Sequence, residues 1–144
     1  MSIEHQKVTA LFDKYLTGFI KQDLFAVMQC YQTPCTLTTP EELKYIEDEN
    51  QLEQTLAAIF SQLSTAHVVD IKVPQASFEL MDQNLALVAI HWQFIDKSQQ
   101  AFAEFCAFYH VTLTSFGSAK IRHVISHEIS ELKCFHSTIQ LGNN

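Results

Sequence analysis

The spacing of the apolar residues changes once along the chain, near residue 65. Before that point they recur every three or four positions, most clearly in the run Val8, Leu11, Phe12, Tyr15, Leu16, Phe19 and Ile20. Such spacing is typical of one face of a helix. After that point apolar and polar residues alternate, which is typical of half-buried strands. Helices followed by antiparallel strands predict an α+β fold, with the N-terminal helices packed on one face of a strongly curved sheet.

Local signals divide the first part of the chain into three helices. Asp23 is expected to cap a short second helix, which ends near Pro34 because the residue before a proline avoids the helical conformation. Asp48 and Gln51 resemble a capping box in front of a third helix that runs to about residue 64. The later part is predicted to form four long strands, with a bulge or an edge at Pro74, over residues 67–81, 85–95, 101–114 and 119–130.

Length and charge limit the organisation and the partners of the protein. The 144 residues are expected to form one domain, with a core over about residues 5–130 and a C-terminal tail over 131–144. A formal charge of −7 argues against binding of nucleic acid, because that affinity comes largely from neutralising phosphates. The N-terminal segment has no signal-peptide pattern, and no stretch approaches the roughly 20 apolar residues that span a bilayer. We therefore expect a cytoplasmic protein with no membrane partner.

The order of the elements carries a family resemblance. Helices, a short strand after YQTPCTL, a further helix and long hairpins ending in FYHVTLTSFGSAKIRHVISHE resemble the nuclear transport factor 2-like superfamily of cystatin-like fold. This superfamily includes ketosteroid isomerase and the SnoaL-like polyketide cyclases. The resemblance covers about residues 5–130 and includes the turn at Gly117 and the pair Lys120 and Ile121, although Ala119 stands where many members carry tryptophan. It implies a cone whose internal pocket opens between the helices and the sheet, and a dimer formed through the outer sheet face.

The stretch HVISHE, residues 123–128, looks like a zinc-binding motif because two histidines lie four positions apart beside a glutamate. On a helix the two would share a face at about 6 Å. In the predicted strand His123 and His127 lie about 13 Å apart, too far for one metal ion with bonds of about 2.1 Å. We expect no metal and no cofactor, although a cross-strand metal site with another histidine stays open.

The cysteines show no CxxC pair. They are spread along the chain as Cys30, Cys35, Cys106 and Cys134, and a chain of this length needs no disulfide for its stability. We interpret them as reduced and mostly buried thiols. A redox pair formed by Cys30 and Cys35 is the alternative.

Alternation also predicts which side chains face the pocket. His123 and His127 lie on the same face as the isoleucines of the last strand, and a turn at residues 116–118 would put Tyr109 opposite Ile125, diagonally between the two histidines. Small residues such as Ala107 would leave a concavity beside them. Because imidazole titrates near neutral pH, a histidine in such a pocket could transfer a proton.

The candidate site residues follow from these faces and from the predicted helices. The candidate catalytic residues are His123, His127 and Tyr109. Tyr15 and Tyr31, on the first two helices, are expected at the mouth of the pocket, and the full candidate ligand-binding set is Tyr15, Tyr31, Trp92, Phe105 and Ala107. The alternative interpretation is that all of these are packed core residues that bind nothing.

The functional hypotheses differ in the chemistry they require. Ketosteroid isomerase chemistry, which the resemblance brings into consideration, needs a carboxylate base inside the cone. Glu104 and Glu128 are predicted to point outward, and the inward strand positions carry no Asp or Glu. We therefore expect a protein that binds a small apolar or aromatic molecule. Two alternatives stay open: a small lyase, isomerase or cyclase that uses a pocket histidine, and a protein-association module that acts through the outer sheet face.

The strand predicted over residues 85–95 is apolar on both of its faces. Helices on one side of the sheet cannot cover both. We therefore expect a homodimer through the outer sheet face, with Leu87 and His91 in the interface and with Phe102 and Phe108 as further candidates.

Overall fold

The computed structural model describes residues 2–114, 117–128 and 137–142. These residues form three helices, α1 (Ile3–Ile20), α2 (Leu24–Met28) and α3 (Glu49–Thr65). They also form seven strands: β1 (Tyr31–Thr38), β2 (Leu43–Ile46), β3 (Val68–Asp82), β4 (Leu85–Asp96), β5 (Ala101–Thr112), β6 (Lys120–Glu128) and β7 (Ser137–Thr138). Several predictions concern side chains outside the described part of the chain. They are the turn at Phe116, the inward orientation of Ile129, the outward orientations of Glu128 and Ser130, and the reduced thiol of Cys134.

The strands form one mixed sheet in the order β2-β1-β6-β5-β4-β3-β7. The β1–β6 pair is parallel, and the other pairs are antiparallel. Apolar side chains of α1 and α3 join the inward side chains of the long strands in a single core. The predicted α+β fold, with helices packed on a curved sheet, is confirmed.

Side-chain caps start the helices where the sequence predicted them. The Asp23 carboxylate accepts a hydrogen bond from the Ala26 backbone N–H at 3.1 Å, which fixes the start of α2. At α3, the Asp48 carboxylate accepts from the Gln51 N–H at 2.9 Å, and the Gln51 side chain accepts from the Glu47 N–H at 2.7 Å. The second bond reaches one residue beyond the usual capping box, but it satisfies a backbone donor in the same reciprocal way.

The second helix is shorter than predicted, and this moves Tyr31. Helix α2 ends at Met28, and Tyr31 is the first residue of β1 rather than part of a helix. The Ile121 N–H donates to the Cys30 carbonyl at 2.8 Å, and Tyr31 pairs with Ile121 in the parallel ladder. Pairing with a distant strand therefore overrides the local helical pattern, which the sequence alone could not show.

Register shifts interrupt several pairs of long strands, and two of them bear on the predictions. The β3–β4 register shifts between Lys72 and Gln75, so the bulge predicted at Pro74 is confirmed. Another shift occurs between β5 and β6, where Val111 pairs with Ile121 but the preceding residue, His110, pairs with His123. Arg122 is therefore an extra residue in β6.

The bulge at Arg122 exchanges the two faces of the rest of β6. After it, Tyr109 pairs with Val124 and Ala107 pairs with Ser126. Directly paired residues share a face, so Val124 and Ser126 point inward. The prediction that His123 and His127 face the helices is wrong, because it assumed unbroken alternation from Ile121 onward.

The last described residues pack on the domain rather than away from it. The Ile139 N–H donates to the Ala76 carbonyl at 3.0 Å, and the Gly142 N–H donates to the Asp13 carboxylate on α1 at 3.2 Å. Ile139 and Leu141 are buried in the main core. Part of the segment predicted as a tail thus joins the β3 edge to α1.

In the described part of the chain, no helix combines the length and the apolar character that crossing a membrane requires.

Candidate ligand-binding site

A cavity of about 110 Å³ lies between the helices and the inner face of the sheet. Its wall is mostly aromatic, from Tyr15, Phe19, Tyr31, Trp92, Phe94, Phe105 and Tyr109. Aliphatic side chains fill the gaps between the rings, from Leu37, Ile59, Ile71 and Val124. Ser126 completes the lining. An apolar wall with few polar atoms is typical of a small-molecule site.

Four of these side chains form two buried hydrogen-bonded pairs. The Trp92 indole N–H donates to the Tyr109 hydroxyl at 2.8 Å. The Tyr15 and Tyr31 hydroxyl oxygens are hydrogen-bonded at 2.7 Å. The Tyr15 and Tyr109 rings are in contact, which brings the two pairs side by side. We call Tyr15, Tyr31 and Tyr109 the tyrosine cluster.

Three different elements bring the cluster together. Tyr15 belongs to the apolar stripe of α1, Tyr31 begins β1, and Tyr109 lies on the inward face of β5. The Tyr15 ring packs edge-on against the Tyr109 ring, with centroids 6.0 Å apart and planes at 78°. The centroid of the Tyr15 ring also lies 6.0 Å from that of the Trp92 ring. Edge-to-face packing of this kind fixes the rings and therefore fixes the positions of their hydroxyls.

Counting hydrogens shows what the cluster can still bind. Its hydroxyls carry three hydrogens, and the bond between Tyr15 and Tyr31 uses one. The Trp92 N–H can only donate, so its bond to Tyr109 uses none of the three. Within the described residues, two phenolic hydrogens therefore remain for an acceptor that enters the cavity, one on Tyr109 and one on the Tyr15–Tyr31 pair.

Burial keeps the cluster uncharged. It raises the pKa of Tyr15, Tyr31 and Tyr109 well above the ordinary value of 10.0, and the neighbouring phenols raise the pKa of Tyr15 and Tyr109 further. At neutral pH all three are hydrogen-bond donors rather than phenolate bases.

Most of the predicted pocket residues meet at this cavity. Tyr109 and four of the five predicted ligand-binding residues line it, namely Tyr15, Tyr31, Trp92 and Phe105. Ala107 is buried on the same sheet face but is not among the lining residues.

The two predicted histidines lie on the outer face instead. His123 Nδ1 is hydrogen-bonded to the Thr36 hydroxyl at 2.7 Å, and its ring centroid is 4.9 Å from that of His110. The His127 ring stacks on Phe108 with centroids 5.1 Å apart. Neither histidine lines the cavity, so the proton-transfer role proposed for them loses its geometric basis.

Sequence reasoning missed seven lining residues, Phe19, Leu37, Ile59, Ile71, Phe94, Val124 and Ser126. Val124 carried a usable signal, because it was the one apolar residue on a face that alternation made polar. An exception of that kind indicates a bulge. Ser126 gave no such signal, because a serine suits either face of a strand.

The lining offers binding groups rather than an acid or a base. Among the described residues that form it, none is a carboxylate or an imidazole. The structure also groups no three described His, Cys, Asp or Glu side chains in a way that could hold a metal ion. Cys30, Cys35 and Cys106 are free and buried, and burial raises the pKa of Cys30 and Cys35 to about 11. Little reactive thiolate is therefore present at neutral pH, which disfavours the redox pair.

Comparison with known families identifies the fold. The family described as NTF2-like protein (DUF6841) matches residues 4–129, which is most of the chain. The chain belongs to this family. No curated protein matches the sequence.

Solved structures agree with this NTF2-like assignment. An NTF2-like protein of unknown function from Shewanella oneidensis MR-1 superposes with a TM-score of 0.71 at 15% identity, over 88% of this chain and 100% of that one. A ketosteroid isomerase-like protein from Erwinia carotovora atroseptica superposes with a TM-score of 0.69 at 18% identity, over 91% of this chain and 100% of that one. A Nostoc punctiforme domain of unknown function with a cystatin-like fold superposes with a TM-score of 0.68 at 11% identity, over 91% of this chain and 81% of that one. At these identities the likeness shows the fold alone. The function of this NTF2-like protein therefore has to be inferred from the residues that line its cavity.

Proposed function

We propose that this NTF2-like protein binds a small molecule with one apolar or aromatic ring and a hydrogen-bond acceptor, such as a ketone oxygen. The observation that carries the proposal is the presence of uncommitted hydroxyl hydrogens of the tyrosine cluster inside an aromatic cavity. Leaving a buried donor without a partner is costly, so an acceptor at that point would be bound with preference over an apolar atom.

The volume of the cavity limits the size of the ligand. Its 110 Å³ is somewhat less than the roughly 150 Å³ of an apolar cavity that accepts benzene. It is well below the roughly 300 Å³ at which pockets for larger, drug-sized ligands begin. A single ring therefore fits the proposal better than a fused-ring steroid.

The alternative of a small isomerase, lyase or cyclase has less support. The likeness to a ketosteroid isomerase-like protein and the phenolic donors both suit the stabilisation of a developing oxyanion. Such chemistry also needs a base, and the described lining provides none. We therefore favour binding over catalysis.

The test uses Trp92, the only tryptophan in the chain and part of the cavity wall. The protein is titrated with cyclohexanone and, as a matched apolar control, with methylenecyclohexane, which replaces the carbonyl oxygen by a CH₂ group. The change in Trp92 fluorescence should report binding of both, with the ketone roughly three- to tenfold tighter, as expected for one net hydrogen bond.

Variants separate the hydrogen bond from the ring contacts. Tyr31→Phe should reduce the preference for the ketone, whereas Tyr45→Phe, at an exposed position on β2, should leave it unchanged. If neither compound alters the fluorescence or the melting temperature at millimolar concentrations, the proposal is wrong.

A further inference from the structure

We infer that the ligand carries a second polar group, at the end of its ring opposite the acceptor, and that the Ser126 hydroxyl binds it. This inference rests on the proposed function and narrows it to a class of ligand: rings substituted at opposite ends, with an acceptor on one side and a hydroxyl or amine on the other. The observation behind it is the position of Ser126 in the cavity wall. Apart from Ser126, the tyrosine cluster and Trp92, the residues that line the cavity are apolar.

Ser126 is an unexpected residue at its position. It lies inside β6 between inward-facing neighbours on adjacent strands, paired with Ala107 and two residues from the buried Val124. A β-branched apolar residue would be favoured there by both strand propensity and burial. In the described structure the Ser126 hydroxyl has no hydrogen-bond partner within the protein, although it lines the cavity. A hydroxyl placed this way gains most when a ligand supplies the partner.

The two polar features lie at different levels of the cavity. Tyr109 is level with Val124 of β6, because the two residues pair. Tyr31 is level with Ile121, which lies on the N-terminal side of Val124 in the same strand. Ser126 lies on the other side of Val124, about 7 Å along the strand, since each residue rises about 3.3 Å. One six-membered ring with groups at its two ends can bridge that separation. The wall between the levels is apolar and suits the body of the ring.

The chemistry of each end follows from the donors and acceptors present. At the cluster the ligand must accept a hydrogen bond, because uncommitted phenolic hydrogens remain there. A serine hydroxyl can both donate and accept, so the second group can be a hydroxyl or an amine. Two fixed contacts at opposite ends also set the orientation of the ring, which a single contact would leave free to turn.

The experiment compares two ligands in two proteins. Cyclohexanone has only the acceptor, and 4-hydroxycyclohexanone adds a hydroxyl at the opposite carbon. Both are titrated into the unmodified protein and into Ser126→Ala, with Trp92 fluorescence as the readout. We expect the added hydroxyl to tighten binding about three- to tenfold in the unmodified protein and to have almost no effect in Ser126→Ala. Cyclohexanone itself should bind both proteins equally.

Two further variants guard against an indirect effect. Ser126→Thr keeps the hydroxyl and should retain the preference for 4-hydroxycyclohexanone. Ser64→Ala removes an exposed hydroxyl from α3 and should behave like the unmodified protein. Thermal melts of all three variants check that the fold is intact.

The outcomes distinguish this inference from the proposed function. If cyclohexanone binds but the added hydroxyl gives no gain, or if Ser126→Ala weakens both ligands equally, the role of Ser126 is refuted and the single-ring site stands. If cyclohexanone fails to bind at all, the proposed function fails and the inference fails with it.

Discussion

At the scale of single residues, burial decides the chemistry of the site. Tyr15, Tyr31 and Tyr109 are each no more than 7% exposed, and their hydroxyls bond to each other or to the Trp92 indole. A phenolate there would lose the solvation by water that an exposed phenolate keeps. Because the cluster stays protonated, the cavity presents donors to a ligand and cannot act as a base at neutral pH.

An alkaline titration tests the state of the cluster. The folded-state pKa of each cluster phenol is raised, so the unfolded chain releases these protons first, and the stability that they contribute is lost as pH rises above about 10. The three cluster phenols should therefore add no phenolate absorbance while the protein is folded. They should ionise together with unfolding.

The fourth tyrosine provides the control for that titration. Tyr45 is 59% exposed on β2 and lies outside the cluster, so in Tyr45→Phe the three cluster phenols alone give the phenolate absorbance. Ionisation of two or more phenols without loss of the circular dichroism signal would show that the cluster is more open to water than the structure indicates.

At the scale of elements, the sequence predicted whatever depends on local pattern. The stripe of α1, the caps at Asp23 and Asp48 and the bulge at Pro74 are all in place, because each depends on residues a few positions apart. These signals were sufficient for the order of helices and long strands, and hence for the fold.

The misplaced residues depend on contacts that are distant in sequence. Tyr31 moved from helix to strand because β6 pairs with it, and the short strands β2 and β7 exist only as partners of β1 and β3. The extra residue at Arg122 exchanged the faces of β6, so most of the predicted aromatic residues lie at the cavity whereas the predicted histidines do not. The alternation of apolar and polar residues does not show where the pairing of two strands shifts by one residue.

The start of α3 offers a quantitative test at this scale. Asp48→Ala removes the side-chain acceptor of the Gln51 N–H and should lower the free energy of unfolding by about 1 kcal/mol. Chemical denaturation measures the change. Glu47→Ala is the matched control, because the Glu47 contribution to the cap is its backbone N–H, which the substitution keeps. Equal losses in the two variants would contradict a specific capping role for Asp48.

At the scale of the whole molecule, the outer sheet face carries exposed apolar side chains that the core and the cavity do not explain. Its strand pairing aligns Ile125 of β6 with Phe108 of β5 on one side and, through Thr38, with Leu43 of β2 on the other. Ile125 is 51% exposed and Leu43 is 66% exposed. Phe102, a candidate for this face, instead lines a shallow hollow with the end of α3. A homodimer through the outer face stays a prediction, and the aligned apolar residues support it.

Sedimentation equilibrium at tens of micromolar, a concentration typical for testing an interface of moderate affinity, measures the association. We expect a dimer for the unmodified protein and a monomer for Ile125→Lys, because the substitution would place a charge in the middle of the buried face. Phe25→Lys changes a side chain that is 68% exposed on α2 and should leave the dimer intact. A monomeric unmodified protein, or equal effects of the two substitutions, would rule out this interface.

At Arg122, β6 could lose a residue while the side chains that follow it keep their inward or outward orientation. Deleting it would remove the extra residue and leave His123 opposite His110 and Val124 opposite Tyr109, now in a regular ladder. Deleting Val124 while the bulge is kept would turn His127 into the cavity and Ser126 out of it. Insertions and deletions, rather than substitutions, are thus the shortest mutational route between an aromatic pocket that binds and an imidazole-lined pocket that could transfer protons.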